Sequence, residues 1–205
     1  MVGQYILQTA WVLLQQDITI ATGVEVMLAL LLTFLLFLTL SLQVIHACDE
    51  RTPTRATGMG PHYVEHVGAE TKLWKEDEIG EPIFLRSRIV DTCGKALPGA
   101  RVQLWHANQD GEHSDHRWRA DLLTDEQGTF KITTVMPGYA GGLPKHIHFI
   151  ITHAGHEELI TRLFFRNDPY IDNAEVNDLA IRLDEVERDG RRGWVAGYEF
   201  VLASE

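Results

Sequence analysis

The sequence predicts an all-β domain behind an apolar N-terminal segment. Three observations carry that reading. Short runs with two-residue alternation recur along the second two thirds of the chain, as in Ile83–Val90 and Arg101–Trp105, and period two is the signature of a half-buried strand. Clusters of Asp, Gly and Pro separate them, at Asp91–Gly94, Pro98-Gly99 and Asp125–Gly128, which is how turns punctuate a sandwich or barrel. Beyond residue 48 no long helical pattern of apolar residues appears.

The elements follow in order. Residues 1–26 form an apolar N-terminal extension without Lys or Arg. Residues 27–47 read as a transmembrane or signal segment: Met27–Ile45 is an uncharged, Leu-rich run of 19 residues, about the length a helix needs to cross roughly 30 Å of hydrocarbon. The missing basic flank argues against an ordinary signal peptide. Ile45-His46-Ala47-Cys48 resembles a bacterial lipoprotein box, so an uncleaved anchor and a lipidated Cys48 stay open as the tether. Either one puts the domain on a membrane, with the extracytoplasmic face expected. The second cysteine, Cys93, lies in a turn; a disulfide with Cys48 is an alternative that sequence does not decide. Residues 48–60 are polar with Thr, Pro and Gly and read as a linker. Residues 61–205 make the β-domain, with further strands at Thr129–Val135, His146–Thr152, Leu159–Phe165, Ile181–Val186 and Trp194–Leu202. Asp172–Asp178 is a polar loop with room for one helical turn.

The net charge of −11, with no basic stripe, excludes nucleic acid as a partner. No zinc-type Cys pair exists in a chain with two cysteines.

Chemistry concentrates in Tyr139–Ile151, where Pro144-Lys145-His146-Ile147-His148-Phe149 sits in a β-branched and aromatic run. Alternation puts His146 and His148 on one face of a strand, where two imidazoles can share a metal ion. Two half-exposed strand histidines are the plain alternative. Tyr139 lies just upstream across a Gly-rich bend.

Several segments, in order, resemble the intradiol ring-cleavage dioxygenases, the catechol 1,2- and protocatechuate 3,4-dioxygenase family. They are Gly60-Pro61-His62-Tyr63, Leu104-Trp105-His106-Ala107-Asn108 with Gly111, Thr124-Asp125-Glu126-Gln127-Gly128, Pro137-Gly138-Tyr139, Pro144–Phe149, and Leu159-Ile160-Thr161-Arg162 through Asp168-Pro169. The resemblance covers residues 60 to 170 and implies an intradiol-dioxygenase-type β-sandwich. It also implies non-haem iron, expected as Fe(III), with a small aromatic diol and O2 as substrates and a muconate-type diacid as product.

Carried over position by position, His146 and His148 are the metal-binding histidines. Tyr139 is the tyrosine that binds the metal and leaves as substrate binds, taking a proton. The other tyrosine position holds His113, with His116 as an alternative nearby. A neutral imidazole there removes one negative charge, which favours Fe(II) or opens the site to copper or zinc. Leu143 stands where the family has an arginine, and Arg162 stands where it has glutamine. The expectation is that Arg162 supplies the positive charge missing at 143. Tyr63 corresponds to a substrate-pocket residue. Trp105, His106 and Asn108 are expected to build the strand end beside the site. Glu112 and Asp115 flank His113 as candidate acceptors for imidazole N–H groups, while His153 and His156 read as loop histidines. Different oxidative chemistry on the same scaffold, and a non-catalytic binding module, are the rival readings.

Overall fold

A computed structural model of the chain describes residues 23, 25–34 and 48–205, apart from 66–67, 141, 167, 172–173 and 189. Residues 25–34 are helical and exposed, and no helix among the described residues is long and apolar enough to cross a membrane. The second half of the expected membrane or signal segment and nearly all of the apolar extension lie outside the described residues. Cys48 and Cys93 are both disulfide-bonded. A sulfur in a disulfide has no thiol to acylate, so the expectation of a lipidated Cys48 is corrected.

Asp49–Glu205 forms one compact unit. Its first sheet is built on β1 (Pro82–Asp91). Along one edge runs antiparallel β4 (Thr129–Val135). The other edge is shared by β9 (Arg191–Ala196) and β10 (Glu199–Leu202), both parallel to it, and β8 (Asp184–Arg188) extends beyond β9. The second sheet has the order β3 (Arg119–Leu123), β2 (Arg101–Trp105), β5 (His146–Thr152), β6 (Leu159–Phe165), β7 (Ala180–Ile181). Inward-facing residues alternate along each strand and meet in one core, including Ile83, Leu85 and Ile89 of β1, Val102 and Leu104 of β2, Ile147, Phe149 and Ile151 of β5, and Phe200. Each such side chain contributes about 1.5–3 kcal/mol on burial.

The predicted turns form as their residues dictate. Asp91 Oδ1 accepts from the amides of Cys93 and Lys95, and Asp125 Oδ1 from those of Gln127 and Thr129. Two predicted strands prove to be double. Ile181–Val186 splits because β7 joins one sheet and β8 the other. Trp194–Leu202 breaks at Gly197, where a side-chain Cβ would lie 2.6 Å from the Arg86 carbonyl. Strand β3 was not expected: its inward residues are Ala120 and Leu122, while the outward set is Arg119, Asp121 and the apolar Leu123, so its pattern is faint.

β5 is buried on both faces. One faces the core. The other is covered by the chain before β1, through Thr57 N–H to Ile160 O at 2.8 Å, Trp105 Nε1–H to Pro61 O at 3.3 Å and Asp121 N–H to Gly68 O at 3.3 Å. The 48–60 stretch, read as a linker, is thereby laid along the sandwich. Arg51 N–H donates to Thr92 O and Thr54 N–H to Val201 O, while Arg55 pairs with Asp178.

Candidate metal centre and active site

One row of side chains crosses the covered face of the second sheet. Arg119 on β3 lies opposite Trp105 on β2, Trp105 opposite His148 on β5, and His148 opposite Arg162 on β6. Directly paired residues project from the same side of a sheet. His146, two residues before His148, joins them on that face.

The two histidines meet at their Nε2 atoms, 3.0 Å apart. Each has its other nitrogen engaged. His146 Nδ1–H donates to Pro144 O at 2.6 Å, leaving Nε2 with its lone pair. His148 Nδ1 accepts from Arg162 Nε–H at 3.3 Å, so the single proton of this neutral ring lies on Nε2 and points at the His146 lone pair. The Trp105 ring stacks on His148 with centroids 4.6 Å apart and planes within 4°. Burial holds His148 down to about pH 2, aided by His146 and Arg162. Burial also lowers His146, against the bond to Pro144. Both rings are neutral at pH 7, the state in which imidazole ligates a metal.

Gly60 makes this closeness feasible. Its backbone passes over the pair at φ +73°, and a Cβ there would lie 2.7 Å from His148 Cε1 and 2.9 Å from Arg162 Nη2. The next turn holds His62, also left-handed at φ 71°. His62 stacks on His113 at 4.3 Å with planes 13° apart.

His113 comes from the loop after β2, shaped by Asn108, whose Oδ1 accepts from the amides of Asp110 and Glu112. Its ring lies 6.5 Å from that of His148. Its Nδ1 is buried without a hydrogen-bond partner, and burial, then His62, lower it to about pH 4. Buried polar atoms are normally satisfied, so this nitrogen marks a place where a partner belongs.

Other expected residues divide cleanly. The Tyr63 hydroxyl bonds with Gln103 and its ring meets Trp105 edge-on at 5.4 Å, pinning the covering segment over the row. His106 is structural: Nδ1–H donates to Ala107 O and Nε2 accepts from Thr134 Oγ1, each at 2.7 Å. His116 and Asp115 are exposed, and Glu112 contacts Asn108. Leu143 is 42 % exposed.

Tyr139 is the main departure. It is 40 % exposed, its ring meets Tyr170 edge-on at 4.5 Å, and Lys145 Nζ lies 5.0 Å from the ring centroid. Partial desolvation, then Asp168 and Tyr170, raise its pKa. The structure brings His146, His148, His113 and Arg162 into one neighbourhood and turns this phenol toward Tyr170.

Sequence reasoning missed Gly60, His62 and Arg119 as site residues. The first two lie inside the Gly60–Tyr63 motif, so their signal was present. Arg119 is 5 % exposed, with Nε–H donating to Ser114 O at 2.6 Å; it sits on the strand that sequence did not reveal.

A family model described as "Dioxygenase" matches residues 59–204. The chain belongs to the intradiol dioxygenase family. Catechol 1,2-dioxygenase of Acinetobacter baylyi is 32 % identical over 148 residues, 57 % of this chain and 48 % of that enzyme. Hydroxyquinol 1,2-dioxygenase of a Rhizobium species is 27 % identical, covering 78 % of this chain and 69 % of its own. The crystal structure of catechol 1,2-dioxygenase from Pseudomonas arvilla C-1 is similar at a TM-score of 0.67 and 26 % identity, covering 84 % of this chain and 68 % of that one. The chain thus spans about half the length of the Acinetobacter relative.

Two nitrogens 3.0 Å apart suit one ion held at about 2.0–2.1 Å from each, once the His148 proton shifts from Nε2 to Nδ1 and Arg162 gives up its bond there. The oxygen donors that the resemblance implies do not fit in the same way: the expected tyrosine before Tyr139 has His113 at its position in that reading, and the Tyr139 phenol faces Tyr170. Among the described residues no three His, Cys, Asp or Glu side chains are placed to hold one ion together. The site as arranged fits two imidazole ligands and does not fit two tyrosinates.

Proposed function

We propose that the domain is an O2-dependent enzyme that opens a catechol-type aromatic ring between its two hydroxyl-bearing carbons. Both atoms of dioxygen end in the product, a muconate-type diacid, so catechol plus O2 balances without a further reductant. The observation that carries the reading is the His146–His148 pair bracketed by Trp105 and Arg162 within a domain of this family. The relatives named above act on catechol and hydroxyquinol, and an ortho-diol of that kind is the substrate class proposed.

The chain's own residues have distinct tasks in this reading. His146 and His148 hold a non-haem iron, with copper or zinc as the competing ions. Arg162 keeps a permanent positive charge beside His148, because arginine stays protonated even where burial lowers its pKa. It forms no ion pair among the described residues and so is available to stabilise negative charge that develops on the ring as oxygen adds. Trp105 and the covering segment through Pro61 and Tyr63 exclude water from the row.

The disulfide-bonded cysteines support an oxidising compartment, in keeping with the proposed extracytoplasmic position and tethering through the apolar segment at 27–47. The decisive experiment incubates the iron-loaded full chain with catechol and with hydroxyquinol, following oxygen uptake and the mass of the product. A diacid heavier than the substrate by one O2, lost in His146→Ala, is expected. Absence of oxygen uptake with both diols overturns the proposal.

A further inference from the structure

We infer that the metal centre of this domain is built from imidazole nitrogen alone, that His62 positions the third imidazole, His113, and that the Tyr139 phenol takes no part. The inference rests on the reading that the His146–His148 pair holds a metal, and it concerns only what completes that pair.

The case against the phenol is local geometry. Gly138 N–H donates to Asn108 O at 2.7 Å, which locks the bend before Tyr139 to the loop that carries His113. The Tyr139 carbonyl is packed so tightly on Gly111 that a Cβ there would lie 1.9 Å from it. With the backbone held, the Tyr139 ring points to Tyr170 and Lys145 and remains 40 % exposed. A phenolate ligand would have to leave both partners.

The case for His113 is the atom it leaves unsatisfied. Its Nδ1 is buried without a partner, in the same neighbourhood as the Nε2 atoms of His146 and His148. An ion held by the pair is the partner this nitrogen lacks, and the His113 ring has to move inward to reach it.

While the stack is kept, His62 and His113 cannot bind one ion together. A bound ion lies in the plane of each imidazole that binds it, and these rings are stacked with planes only 13° apart at 4.3 Å. His62 therefore acts on the orientation of His113, as outer partners of metal-binding histidines do. Its left-handed backbone at φ 71°, an uncommon conformation outside glycine, sets that stack. Three neutral nitrogens bring no anionic charge to the ion, so a divalent metal is favoured over Fe(III).

The test uses the full chain loaded with iron under air and, separately, with copper(II). Metal content, the visible spectrum and the nitrogen hyperfine pattern of bound copper(II) are the readouts. One ion per chain is expected, with imidazole hyperfine and no phenolate-to-iron band. Tyr139→Phe should leave all three unchanged, and its exposed position makes folding secure. His113→Ala should weaken copper(II) binding on the order of tenfold or more, His62→Ala by about tenfold, and His62→Phe should restore it by keeping the stack. A visible band abolished by Tyr139→Phe, or copper(II) binding untouched by His113→Ala, would overturn the inference. Neither result bears on ring cleavage, which the product assay decides independently.

Discussion

Arg162 donates from Nε to Nδ1 of His148 at 3.3 Å, so the cation and a proposed metal ligand form one unit on adjacent strands. The bond places the His148 proton on Nε2, facing the His146 lone pair; ligation through Nε2 moves that proton to Nδ1 and frees the guanidinium beside whatever binds at the pair. Replacing Arg162 with Met keeps an apolar stem and removes both charge and donor. Turnover should fall on the order of 100-fold or more, the usual loss when a donor to developing negative charge is removed. Metal content should stay within experimental error of the unsubstituted protein. Wild-type turnover in Arg162→Met would remove the residue from the chemistry.

The loop that carries His113 is held by close backbone approach, and glycine is what permits it. Gly111 has φ +86°, with the Tyr139 carbonyl 1.9 Å from where a Cβ would stand. Gly142 has φ +76° with nothing within 4 Å. Both pay the left-handed penalty of about 1–2 kcal/mol when changed to Ala; only Gly111 adds a collision with backbone that cannot rotate away. Gly111→Ala should therefore lower unfolding free energy by at least about 2 kcal/mol more than Gly142→Ala. Equal losses in denaturant titrations would show that the loop yields without cost.

Much of this was readable in advance. Period-two alternation located β1, β2, β4, β5 and β6, and the His-x-His spacing placed His146 and His148 on one face because a strand leaves no alternative. What sequence could not convey was side-chain direction across a bend. Tyr139 follows Pro137-Gly138 in the expected motif, yet its ring is aimed by the packing of its carbonyl on Gly111, twenty-eight positions earlier in the chain. His62 likewise sat in a recognised motif, but its stacking on His113 is a tertiary contact with no local signature. Arg119 was lost with β3, where the small Ala120 and the outward Leu123 next to the inward Leu122 blur the alternation.

His106 makes stability depend on acid. It is 1 % exposed, satisfied at both ring nitrogens, and burial lowers its pKa from 6.5 to about 4. As pH falls below 6.5 the unfolded chain takes up a proton here that the folded domain refuses until about 4. Stability is therefore lost progressively across that window and levels off beneath it, by about 3 kcal/mol from this residue. Unfolding free energies measured at pH 7 and pH 4 should differ less in His106→Gln than in the unsubstituted chain, by roughly that amount. The same drop in both proteins would assign the acid sensitivity elsewhere.

Gly60 offers a way to disturb the centre without touching a ligand. Its missing side chain leaves room for His148 Cε1 and Arg162 Nη2, which a Cβ would approach to 2.7 and 2.9 Å. The Arg162 terminus is flexible and can withdraw, whereas His148 is clamped between the Trp105 ring and its partners His146 and Arg162. In Gly60→Ala the guanidinium is expected to move first, at a stability cost of about 1–3 kcal/mol for the strained backbone at φ +73°. Activity should fall toward that of Arg162→Met while metal content is kept, and the double variant should be little worse than either alone, as expected for residues acting as a unit. If the two losses multiply instead, Gly60 and Arg162 act separately, and the covering segment influences the site by another route.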